Sequence, residues 1–165
     1  MKKAIVLLSL FIIIFSISFT ENSITVKQKK KLKQLRKKAK NGDPEAQVNM
    51  GYISFMKSDY KTAISWYKKA ANQNFADGLS NLGWMYYKGK GVKKDIDKAI
   101  KLYKKAAKQK NGKAQYHLGM IYYNDKKNKS KAKKWIKMAI NNSKADKNIK
   151  KSAEIFWKEN KLKNY

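Results

Sequence analysis

The chain has 165 residues, enough for one domain that buries roughly two-thirds of its unfolded surface, and its single proline, eight glycines and lack of strand-like alternation favour an all-helical fold. The absence of cysteine excludes a disulfide framework, a thiolate metal site and a lipid-modified N-terminal cysteine. A formal charge of +29, carried by lysine with Arg36 as the sole arginine, directs the chain toward anionic partners, and the choice of Lys over Arg weighs against specific base reading.

In chain order, Lys2 and Lys3 precede an apolar run from Ala4 to Phe15 and then Ser16-Ile17-Ser18. That is the pattern of a secretory signal peptide, residues 1–18, with cleavage expected after Ser18 and export to the periplasm or beyond. An uncleaved anchor is the competing reading. The stretch Ala4 to Phe19 is 16 residues, short of the roughly 20 that a spanning helix prefers. Nine Lys or Arg between Lys27 and Lys40 work against translocating that flank. Residues 19–26 read as a short linker.

Residues 27–42 carry an apolar stripe of Leu32, Leu35 and Ala39, stopped by Asn41-Gly42. Asp43-Pro44 then supplies an N-cap and a first-turn proline for the next helix. From there the sequence repeats in units 43–75, 76–111 and 112–143. Gly51, Gly83 and Gly119 head the units, each preceded by Met50, Leu82 or Leu118. Alanine pairs follow at Ala63 and Ala70, Ala99 and Ala106, Ala132 and Ala139, with Trp66, Leu102 or Trp135 between them. The glycines stand 32 and 36 residues apart, a period that signals an α-solenoid of helical hairpins. Ala39 precedes Gly51 by the same distance as Ala71 precedes Gly83, so residues 27–42 are a half-unit, a second helix without its first. Residues 144–165, with Ile149, Ala153 and Phe156, read as a C-terminal capping helix and basic tail.

The middle unit contains Leu82-Gly83-x-x-Tyr86, Gly89-x-Gly91-Val92-x-x-Asp95 and Lys98-Ala99-x-x-x-Tyr103-x-Lys105-Ala106-Ala107. It resembles the Sel-one-like repeat, a relative of the tetratricopeptide repeat. The flanking units lack the glycine connection but keep the leading glycines and alanine pairs. The resemblance implies a right-handed α/α superhelix whose first helices line a concave groove for partner segments. Positions −5, −1, 0 and +3 from each glycine should pack inside the hairpin. Positions −3, +1 and +4 form a second stripe: Val48, Tyr52 and Phe55; Ser80, Trp84 and Tyr87; Tyr116, Met120 and Tyr123. Tyr52, Phe55, Trp84, Tyr87, Tyr116, Met120 and Tyr123, with Lys88 and Lys113 nearby, are the candidate partner-binding residues. Some of these rings should instead pack on a neighbouring repeat, Tyr52 and Met120 first, which leaves Trp84, Tyr87, Tyr116 and Tyr123 as the leading contacts.

No catalytic constellation emerges. His117 is the only histidine, has no second ligand at metal spacing and reads as a partly exposed helix residue. Ser54, Ser58, Ser65 and Ser130 each begin a Ser-x-x-Lys, as chance dictates in a Lys-rich chain, without the companion motifs of an acylating serine. Asp43, Asp59, Asp77 and Asp95 fall at predicted helix starts, where capping or the helix dipole accounts for them. The expectation is a non-enzymatic protein without cofactor or metal. It would bind an acidic protein partner, an effector or toxin it neutralises or an envelope enzyme it adapts. Binding of an anionic cell-wall polymer or a lipid surface through lysine pairs such as Lys104-Lys105 and Lys133-Lys134 is the alternative. An AT-rich genome that loads solvated faces with Lys accounts for the same composition. An enzyme related to β-lactam chemistry, which the family's cysteine-rich exported members suggest, is a third reading, and this chain lacks their paired cysteines. Nucleic acid becomes a candidate partner only if the chain is not exported.

Overall fold

The structure is a computed structural model that describes residues 25–162. The signal-peptide assignment therefore lies outside the described residues. Helix α1 occupies 25–40, so residues 25 and 26, expected in a linker, belong to it. It is followed by α2 (Pro44–Met56), α3 (Tyr60–Asn72), α4 (Ala76–Lys88), α5 (Ile96–Lys108), α6 (Gly112–Asn124), α7 (Lys129–Ile140) and α8 (Lys147–Glu159). No strand occurs among the described residues.

The helix starts are written locally. Asp43, Asp59, Asp95, Asn111, Asn128 and Asp146 each accept the amide three residues on, as with Ala46 N to Asp43 Oδ1 at 2.6 Å and Lys98 N to Asp95 Oδ1 at 2.8 Å. Helix α4 starts at Phe75 without a side-chain cap, and Asp77 in its first turn meets the helix dipole instead. The second helices stop alike. The amides of Asp43, Phe75 and Asn111 donate to the carbonyls of Lys38, Ala70 and Ala106, across left-handed residues Gly42, Asn74 and Lys110 (φ 99°, 57° and 62°). This shared stop sets the register: α1 is equivalent to α3 and α5, with Lys38 at the place of Ala70 and Ala106.

Helices α2/α3, α4/α5 and α6/α7 form antiparallel hairpins, and α8 packs on α6 and α7. Within each hairpin the glycine lets the first helix approach a large side chain of the second. Gly51 lies under Tyr67, Gly83 under Tyr103 and Gly119 under Ile136. A Cβ at Gly51 would stand 2.5 Å from Tyr67 Cε1. The alanines of all three pairs are fully buried. The positions expected inside the hairpins, including Met50, Leu82, Tyr86, Leu118 and Tyr122, are buried too. One detail differs. The large residues between the alanines that seat on the glycines are Tyr67, Tyr103 and Ile136, whereas Trp66, Leu102 and Trp135, one residue earlier, are half-buried. Trp66 packs against the cluster of Ala39, Ala46 and Met50, with Lys69 Nζ 4.5 Å from its ring centroid.

Polar clasps join successive units. Gln73 Nε2 donates to the Gly42 carbonyl (2.8 Å) and to Gln47 Oε1 (2.9 Å), and Gln47 Nε2 donates to the Ala39 carbonyl (3.2 Å). Gln109 Nε2 donates to the Asn74 carbonyl (2.8 Å), and Asn111 Nδ2 to Asp77 (2.7 Å). At the next boundary, buried Asn142 donates to the Lys110 carbonyl (2.8 Å) and to buried Gln115 Oε1 (2.9 Å). Replacing Asn142 with alanine strips partners from two acceptors at once. It should cost about 2 kcal/mol, read as a lower denaturant midpoint at unchanged slope.

Helix α2 also touches α4, and α6 touches α8, so first helices meet across two of the unit boundaries.

Candidate partner-binding surface

Around α2 and α4 the structure gathers three of the expected residues. Phe55 meets Trp84 edge to face (centroids 5.3 Å apart, 85°) and also contacts Tyr60 at 5.6 Å. Together with Tyr52, Tyr67, Asn81 and Met85 they line an open notch of about 190 Å³ that no carboxylate borders. Tyr52 remains 56% exposed. The expectation that it would be among the first rings covered is corrected here, for a local reason. Trp84 is half-buried because Phe55 of the preceding first helix leans on it, and no first helix precedes α2 among the described residues.

Tyr87 bridges units instead of standing free. Its hydroxyl donates to Asp125 Oδ2 at 3.2 Å, just past α6, and the ammonium groups of Lys88 and Lys94 lie 5.2 and 5.8 Å from its ring centroid. Burial and the neighbouring Asp125 charge push the phenol pKa up. Tyr116 and Tyr123 both meet Phe156 of α8 edge to face, at 6.3 and 5.5 Å. The cap thus lies against the two tyrosines named as leading contacts. Met120 is half-buried, Ser80 and the hairpin side of Val48 turn toward the core, and Lys88 and Lys113 are exposed.

His117 is a partly exposed helix residue, as expected, but part of its ring is buried. Its ring stacks on Tyr103 (5.2 Å, 29°) and lies 5.7 Å from Tyr116. The residue keeps some surface, but its Nδ1 is buried without a hydrogen-bond partner, as is the Tyr103 hydroxyl. Burial, with the Lys88 and Lys113 charges behind it, lowers the imidazole pKa to about 4, so the ring is neutral at pH 7. Burial also drives the Tyr103 phenol well above its ordinary range. Sequence spacing gave no sign of this pair, because it joins adjacent hairpins across α5 and α6.

The carboxylates are largely spoken for by the fold. Asp43, Asp59, Asp95 and Asp146 cap helices, Asp77 receives Asn111, Asp125 receives Tyr87, and Asp97 pairs with Lys126 at 2.8 Å. Eleven acidic side chains thus stand against forty basic ones, a large cationic excess. Among the described residues no cluster of His, Asp or Glu could hold a metal ion, and no helix is long and apolar enough to cross a membrane.

Helical hairpins stacked in register, each sealed by a glycine under a large side chain, define an α/α-solenoid, a scaffold class built to hold other proteins. The chain belongs to the Sel1 repeat family, whose profile matches residues 44–75, 76–111 and 112–144. Members of that family are generally protein-interaction modules and typically non-catalytic. Among the solved structures this chain resembles are two Sel1-type proteins. One is c5321, a protective antigen present in uropathogenic Escherichia coli strains that displays the Sel1-like repeat fold (33% identity, TM-score 0.60), where the match covers 66% of this chain and 25% of that one. The other is a Sel1 repeat protein from Oxalobacter formigenes (27% identity, TM-score 0.62), with 78% and 63% covered. This chain thus spans a quarter of the first relative and less than two-thirds of the second. No curated protein matches it in sequence.

Proposed function

We propose that this protein is a non-enzymatic envelope module that grips an acidic protein partner on its first-helix face, with Tyr52, Phe55 and Trp84 as the anchor. The observation that carries this reading is the aromatic notch itself: rings held in place from below, Tyr52 left open, and no carboxylate at its border. The cationic excess adds a long-range field that speeds encounter with an acidic surface. Export through the N-terminal apolar segment would place it in the periplasm or outside the cell, in keeping with its similarity to a protective antigen. Neutralising a secreted acidic toxin and adapting an envelope enzyme are the two roles such a module suits.

Affinity capture from an envelope extract tests this. A Tyr52→Ala/Trp84→Ala variant should retain about a tenth or less of the captured partner, and capture by the unaltered chain should fall steeply with salt. Equal capture by a folded variant would overturn the anchor, and capture that is flat with ionic strength would remove the field. Tyr87 is left in place because its hydroxyl ties two units together.

A second reading has one observation behind it. Between α5 and α7, Lys101, Lys104 and Lys131 line a shallow depression of about 570 Å³ beside Tyr122, which also holds Asp97 paired with Lys126. The lysines beyond that pair suit carboxylates or phosphates of an anionic polymer or lipid surface. Co-sedimentation with purified cell wall or anionic vesicles separates it from protein binding.

A further inference from the structure

Helix α1 is a second helix whose first helix is missing among the described residues, none of which fills the place where that helix would lie. In the complete units the equivalent seat is filled: Ala63, Ile64, Tyr67 and Ala70 of α3 are buried against α2. Counting back from the shared helix stop, the corresponding residues of α1 are Lys31, Leu32, Leu35 and Lys38. Together with Tyr52 and Ile53 of α2 they line a groove of about 580 Å³. Its floor is apolar, and Leu32 and Leu35 are only half-buried. At the two close-approach positions, where every complete unit has alanine, it carries exposed lysines seven residues apart.

We propose that this seat docks an acidic amphipathic helix of a partner protein, which completes the half-repeat in trans. Apolar side chains at helical spacing would cover Leu32, Leu35 and Ile53. Carboxylates two turns apart would meet Lys31 and Lys38, which flank that stripe. No carboxylate lines the groove. Among the described residues the turn that would lead from a first helix into α1 is absent. In the complete unit the chain turns at Lys57, Ser58 and Asp59, with Ser58 left-handed, whereas the equivalent residues 25–27 continue as helix. A second copy would bring a strongly cationic surface against two lysines. The seat is distinct from the aromatic notch and shares only Tyr52 with it.

The test uses the full chain and a fluorescent 13-residue peptide, the length of α4, with leucines along one stripe and two glutamates seven residues apart. A matched peptide carries lysines in place of the glutamates. The glutamate peptide should bind at least about tenfold more tightly than the lysine peptide, and Lys31→Glu/Lys38→Glu should invert that preference. Both lysines are exposed, so the exchange leaves the fold intact. Trp84→Ala should change neither affinity, which keeps a failure of the aromatic anchor separate from a failure of this seat. An unaltered preference in the charge-reversed variant overturns the proposal, as does loss of binding on Trp84→Ala alone. Self-association in sedimentation equilibrium that the charge reversal removes would overturn it in favour of a second copy.

Discussion

Lowering the pH from 6.5 to 4 is expected to remove about 3 kcal/mol of stability, and His117→Gln is expected to abolish most of that loss. The sign follows from where the proton goes. In the unfolded chain His117 titrates at its ordinary 6.5; in the fold, burial against Tyr103 and the field of Lys88 and Lys113 lower it to about 4. Between those values the unfolded state holds a proton that the native state refuses, so stability falls as pH falls through this window and levels off below it. Carboxylates whose folded pKa is depressed, such as Asp59 beside Thr62 and Asp97 beside Lys126, lose their contribution only below the ordinary 3.8. The window from 6.5 to 4 thus belongs chiefly to His117. Denaturant titrations at pH 7, 5 and 4 on both proteins measure it; parallel losses would assign the acid sensitivity elsewhere.

Tyr103→Ala should cost about 3–5 kcal/mol, the largest effect of any single truncation proposed for this chain. Tyr103 is completely buried, lies over Gly83 and stacks on His117, so its removal opens a void between two hairpins. Tyr103→Phe should behave differently. Its hydroxyl is buried with no partner, and deleting it should leave stability unchanged or raise it by about 1 kcal/mol. Denaturant midpoints of the two variants decide this, and a Phe variant as damaged as the Ala variant would refute the unpaired hydroxyl. The two residues are also coupled. Without the Tyr103 ring His117 is less desolvated, so the Ala variant should show a smaller acid loss.

The architecture could be read from the sequence because it is written in small residues at fixed distances. Gly51, Gly83 and Gly119 mark where a large side chain of the second helix seats on the first, the alanine pairs lie buried between the helices, and capping aspartates punctuate the units. The surface was legible in part. The period placed Phe55, Trp84 and Tyr87 on one stripe, but it could not say which rings a neighbour would cover. Tyr52 is open because no earlier first helix leans on it among the described residues, and Tyr116 and Tyr123 are half-closed because Phe156, more than thirty residues later, packs against them. The clasps were invisible for the same reason. Gln47 with Gln73 and Gln115 with Asn142 are polar residues whose partners lie 26 and 27 positions away, with no local pattern to mark them.

The apolar interior comes in three unequal pieces. A continuous core runs from Ala63 through Ala132, while Ala39, Ala46 and Met50 at one end, and Ile136, Ala139, Ala153 and Leu162 at the other, form small separate clusters. In a chain where each unit leans only on its neighbours, heat or pulling force reaches the small clusters first, and the molecule loosens from its ends inward. The groove beside α1 and the Phe156 cover over Tyr116 and Tyr123 both belong to those ends. The notch of Phe55 and Trp84, by contrast, packs on the continuous core, and a helix seated beside α1 would stiffen the end it grips.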